Sequence, residues 1–206
     1  MISILVIGCL LGLSAGIAPG PLLMLVISET LQHDIKSGIK VAFSPLITDF
    51  PIIILALFLS ASLTELNQIL GIISIIGGCF ILYLAYNNLH IKAVELDKQE
   101  IKKPASLMKG MIANALSPHP YLFWITVGAP MINKAMKENI ITALLFILCF
   151  YICLVGSKII LAILTGKSKS FLTTRPYVYT IRLLGLLLAI FAFILLSDGM
   201  KLLSQS

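Results

Sequence analysis

Asp49 lies in the run Pro45-Leu46-Ile47-Thr48-Asp49-Phe50-Pro51, an acid inside an otherwise apolar stretch. If residues 39–62 form one helix, position 49 is roughly 15 Å from its start. That is near the middle of a bilayer core about 30 Å thick. An ionisable group at such depth is costly and marks a solute or proton pathway. Asp49 could receive an ammonium group or carry a coupling proton. It could also cap a half-helix beginning near Pro51, since Asp is a favoured N-cap. The two roles are compatible.

Two proline pairs form the second constellation. Pro19-Gly20-Pro21 and Pro118-His119-Pro120 each place two prolines around one residue, 99 positions apart. Proline lacks the amide donor and clashes with the preceding turn, so such a pair breaks a helix rather than bending it. A broken helix at membrane depth is tolerated where it lines a cavity or is buried in protein. The half-helix after each break exposes free N–H groups and a positive dipole end, an anchor for a carboxylate or another anion. A structural kink alone is the blander alternative. Pro19, Gly20, Pro21, Pro118 and Pro120 are therefore candidate solute-binding positions. Asn114 and Ser117 precede the second break and could line the same site or hydrogen-bond between helices.

Other polar residues carry less. Lys158 could pair with Asp49, attract an anion or snorkel to the interface. His119 could relay protons or sit exposed within the break. Cys149 and Cys153 are four apart and share a helix face, which suits packing better than metal binding. No Cys-x-x-Cys, His-Glu-x-x-His, phosphate loop or nucleophile–His–acid set is present, so neither a metal site, a cofactor nor ATP-driven chemistry is expected. The expectation is a protein that is not an enzyme.

The elements that must hold these residues follow from composition. Of 206 residues 59% are hydrophobic and 12% charged, and the mean hydropathy is +1.04. Soluble domains carry roughly 25% charged residues. Apolar runs at about 2–28, 39–62, 68–89, 107–132, 140–164 and 177–197 are each long enough to cross a bilayer. They are continuous rather than alternating, so helices are expected and not barrel strands. The fold expected is all-α: a polytopic membrane protein of six transmembrane helices. Residues 29–38, 63–67, 90–106, 133–139 and 165–176 read as connections. Val6-Ile7-Gly8-Cys9 superficially resembles a lipoprotein box, but no basic residue precedes the apolar run, so the stretch reads as the first crossing.

Gly8, Gly12, Gly16 and Gly20 form a stripe that lets another helix approach closely. Of the 15 basic residues, 11 fall on the side of the first, third and fifth connections. By the positive-inside rule this puts those connections in the cytoplasm of a plasma-membrane protein and both termini outside. The net charge of +6 is thus topological, and no nucleic-acid partner is expected. The matched breaks divide the chain into residues 1–89, a charged cytoplasmic linker 90–106 and residues 107–206. Three helices per half would set the halves in opposite orientations, the inverted-repeat design of many secondary transporters, with helices 1 and 4 broken by proline. The partners expected are a small-molecule substrate and the lipid bilayer, and a homo-oligomer is compatible with the sequence.

Gly12-Leu13-Ser14-Ala15-Gly16-Ile17-Ala18-Pro19-Gly20-Pro21, the following Gly38-Ile39-Lys40 and the mid-membrane Asp49 resemble the LysE-type (lysine exporter) amino-acid exporter family. Asn114…Ser117-Pro118-His119-Pro120 is similar to that family's second signature, usually Asn-Pro-Lys, with Ser117 and His119 departing from it. The resemblance implies export of amino acids or similar metabolites, driven by protons or the membrane potential, with Pro19, Gly20, Pro21 and Asp49 at functional positions. A thiol–disulfide electron carrier, a metal-ion transporter of related fold and a transport-inactive assembly subunit are the alternatives. The cysteines' distance from the proline pairs argues against the carrier.

Overall fold

The computed structural model describes residues 2–58, 63–90, 105–168 and 174–204, and all regular structure among them is helical. In chain order the helices are α1 (Ile2–Ile17), α2 (Pro21–Gln32), α3 (Ile35–Ala42), α4 (Ser44–Phe58) and α5 (Leu63–Leu89). Then come α6 (Ser106–Ala115), α7 (Pro118–Phe123), a π-turn (Trp124–Gly128), α8 (Ala129–Glu138), α9 (Ile140–Ser168) and α10 (Thr174–Ser204).

Four stretches are long and apolar enough to cross a membrane: Ile35–Leu57, Gly71–Leu89, Ile140–Ser168 and Val178–Ser204. The pair α1–α2, bent by 61° at its break, makes a fifth. The expected crossing at 107–132 is instead divided into α6, α7, the π-turn and the start of α8, and none of these pieces spans alone.

Several expected boundaries move because polar residues remain helical. Residues 29–32 belong to α2 rather than to a connection, which shrinks to His33 and Asp34. Residues 63–67 are the first turns of α5, not a tight turn. Residues 133–138 complete α8, leaving Asn139 alone before α9. Asn139 Oδ1 accepts from Ile141 N at 3.0 Å and Asp34 Oδ1 from Ser37 N at 2.7 Å. Each side chain satisfies an orphan amide where one helix gives way to the next. Of the expected linker 90–106, residues 91–104 lie outside the described residues, as do 59–62 at the end of the second apolar run and 169–173 of the fifth connection.

The molecule is apolar on its outside as well as within. Ile141, Leu144, Leu148 and Ile152 of α9 and Leu183, Leu186 and Phe193 of α10 are exposed. Such belts suit lipid and not water. Inside, α1 packs on α9 and α5 on α10. The glycine stripe sets the first contact: a Cβ on Gly12 would come within 2.2 Å of Phe150 O and one on Gly16 within 1.9 Å of Ser157 Oγ. Gly77 of α5 seats against Leu116 O, so α5 lies directly on the second break.

Candidate functional site

The first break leaves the last carbonyls of α1 and the first amides of α2 without intrahelical partners. Gly20 takes the N-cap position of α2 in extended conformation, with Pro21 at the first turn and no side chain capping the amides. Nothing lies within 4 Å of where a Gly20 Cβ would be. At the other side of the break, Lys158 Nζ of α9 donates to Gly16 O at 2.9 Å and Ala15 O at 3.4 Å. Lys158 is 3% exposed, so it does not snorkel; its ammonium caps the negative end of α1 and is not within ion-pair contact of Asp49.

The second break falls at Leu116 and Ser117, before Pro118. Here Tyr121 OH donates to Ala115 O at 2.9 Å, relieving one orphan carbonyl of α6. Ser117 is extended and its side chain caps nothing, while Pro118 is buried at the start of α7. The helix then widens into the π-turn at Trp124, a feature frequent at functional sites.

Asp49 sits inside α4 and not at a helix start, which removes the N-cap role; α4 begins at Ser44 and carries Pro51 within it. The residue is 4% exposed. Oδ1 accepts from Asn114 Nδ2 at 2.7 Å. Oδ2 accepts from Trp124 Nε1 and Tyr151 OH, both at 3.3 Å. Asn114 Nδ2 also donates to Thr48 Oγ1 at 2.7 Å. All three partners of the carboxylate are donors, which is how a buried anion is held. Behind it Phe123, Trp124, Phe150 and Tyr151 form an aromatic cluster with ring centroids 5.1–6.1 Å apart.

These groups converge on one cavity of about 410 Å³, within the range of small-molecule sites. Pro19, Gly20 and Pro21 line it from the first break, and Ser117, His119 and Pro120 from the second. Asp49, Asn114 and Lys158 complete its polar lining. Pro118 is buried beside the break but does not line the cavity. Trp124, Tyr151 and Lys158 were missed or undervalued in the sequence. The signals available were the single tryptophan and a phenol and an ammonium within one long apolar run. Buried Tyr and Trp polar atoms seek partners.

Cys9 comes beside Cys149 and Cys153 across the α1–α9 contact, and none of the three lines the cavity. Cys79 is exposed. Among the described residues no group of three or more His, Cys, Asp or Glu is placed to hold a metal ion.

A second polar cluster lies away from the cavity. Glu29 of α2, 2% exposed, accepts from Ser106 Oγ at 2.5 Å and from Lys109 Nζ at 2.6 Å, both on α6. His33 Nε2 is 3.6 Å from the same carboxylate. Nearby, Gln32, Ser28 and Asn88 hydrogen-bond to one another at 2.7–2.9 Å and tie α2 to α5.

A search of curated proteins and of solved structures returned no significant match. The family description LysE type translocator matches residues 13–199, a stretch that includes both breaks, Asp49, its three donors and Lys158. Membrane-length apolar helices, two breaks meeting at one cavity and a match over nearly the whole sequence agree: the chain belongs to the LysE type translocators, a family of membrane transporters.

Proposed function

We propose that the protein is a secondary transporter that exports an amino acid or similar small solute across the cytoplasmic membrane, driven by protons or the membrane potential. The observation that carries this reading is the cavity between the two helix breaks, with a buried carboxylate and a buried ammonium in its wall. Irregular backbone at membrane depth, lining a cavity, is the pattern of transporter sites. The uncapped start of α2 offers free amides to a carboxylate. Asp49 serves the substrate ammonium or the coupling proton.

In this reading the broken stretch 106–138 is the sixth crossing. Residues 1–89 and 107–206 form two inverted three-helix halves that rock about the site. Asn114 and Trp124 reach Asp49 from the second half, so a change at the carboxylate would be felt by both. The bias of basic residues favours cytoplasmic odd-numbered connections and external termini. Outward direction follows from kinship with the translocators.

The test is uptake of a radiolabelled amino-acid panel into inside-out vesicles, with and without an imposed proton gradient. Gradient-dependent accumulation is expected for wild type. Asp49→Asn should abolish it while membrane abundance stays unchanged. Normal uptake by that variant would remove Asp49 from the mechanism.

A further inference from the structure

The cavity's charges are balanced. Among the described residues, Asp49 is the one carboxylate lining it and Lys158 the one ammonium. Although both face the same space, they form no ion pair with each other. Each retains unused capacity. An ammonium has three donors, and Lys158 directs two of them to Ala15 O and Gly16 O. The third, with the free amides opening α2, makes a positive pole. Each carboxylate oxygen accepts about two hydrogen bonds, and Asp49 Oδ1 accepts one from Asn114. That leaves a negative pole at Asp49 on α4. Much of the remaining wall is apolar and includes Leu22, Leu23, Phe123, Phe150 and Leu154.

We propose that this cavity selects a zwitterionic α-amino acid with an uncharged, apolar side chain. Its carboxylate meets Lys158 and the start of α2, its ammonium meets Asp49, and its side chain lies against Leu23, Phe123 and Leu154. The proposal rests on the cavity being the transport site. A zwitterion adds one charge of each sign and leaves the site neutral. A lysine-like cargo adds a second ammonium with no second carboxylate in the wall to receive it. A glutamate-like cargo adds a second carboxylate with no second buried ammonium. Burying an unpaired charge is strongly unfavourable, so both are rejected on charge and not on size.

The protein carries its own reporter. Trp124 is the single tryptophan, is 0% exposed, lines the cavity and donates to Asp49. Its fluorescence in the purified, detergent-solubilised full chain should change as the site fills. The ligands are L-valine, L-leucine, L-methionine, L-serine, L-lysine and L-glutamate. 3-Methylbutylamine and 4-methylpentanoate are added as leucine without its carboxylate or its ammonium. A saturable change with at least one apolar amino acid is expected, with lysine, glutamate and both truncated ligands about 100-fold weaker or more. Lysine or glutamate binding within about tenfold of the best apolar amino acid would overturn the proposal. So would serine binding more tightly than every apolar one, or either truncated ligand matching leucine. If fluorescence does not respond, the same amino acids are offered to inside-out vesicles. Accumulation of an apolar amino acid with lysine and glutamate excluded supports the proposal. Accumulation of lysine or glutamate to the same level overturns the selectivity and leaves the transporter reading standing. No accumulation of any amino acid overturns both.

Discussion

Asp49 takes its hydrogen bonds from residues 65, 75 and 102 positions away, on three separate elements. The acid itself was legible, because a carboxylate amid apolar residues is costly in a membrane. Its donors were not, because nothing local links Trp124 or Tyr151 to position 49. The glycine stripe gives a test at this same scale. Gly12→Ala would drive a methyl to 2.2 Å from Phe150 O. Overpacking of this kind costs about 1–3 kcal/mol, and a lowered thermal midpoint in detergent should report it. Gly20 has open space and an extended backbone that alanine adopts freely. Gly20→Ala should therefore leave the midpoint unchanged while lowering uptake, since the added methyl enters the cavity. Gly12 and Gly20 fall on one glycine stripe in the sequence, but the neighbouring helix, α9, closes on Gly12 and leaves Gly20 open.

The helices show which local signals carry and which do not. Both proline pairs coincide with breaks, whereas the lone Pro51 stays within α4. Polar residues were weaker guides. Glu29 and Gln32 read as a connection, yet α2 continues through them because Ser106, Lys109 and Asn88 satisfy them from elsewhere. The true end of α2 is marked by Asp34 capping α3. Asp34 is held below its ordinary 3.8 by hydrogen bonds from the Ser37 side chain and then its backbone amide, with smaller help from Lys36 and Lys40. A depressed carboxylate contributes stability above its unfolded value and loses it as pH falls through the folded one. Asp34→Ala should cost about 1 kcal/mol near neutral pH. In melts recorded as a pH series, the gap between variant and wild type should close as the pH drops below 3.8.

Across the whole molecule, the tie between α2 and α6 joins the part of the chain before residue 90 to the part from Ser106 onward. Glu29 is buried, whereas Lys109 is 34% exposed. Lys109→Ala would leave a buried acid short of its counter-charge, at a cost of about 1–3 kcal/mol. The double variant Glu29→Gln with Lys109→Met should recover most of that loss, because the unpaired charge is then absent. Thermal unfolding of wild type, single and double variants checks both expectations. Six crossings were countable as apolar runs, but the stretch from 106 to 138 became four pieces, since its prolines and π-turn outweigh its hydropathy.

That tie also bears on how the chain is made. Ser106 and Lys109 follow Glu29 by 77 and 80 residues. Glu29 therefore leaves the ribosome long before the groups that will receive it. Until α6 arrives, the early helices hold an acid with neither hydroxyl nor ammonium beside it. Their settled placement in the bilayer waits on the later half, so a nascent chain halted before Ser106 is an unfinished assembly and not a smaller folded one.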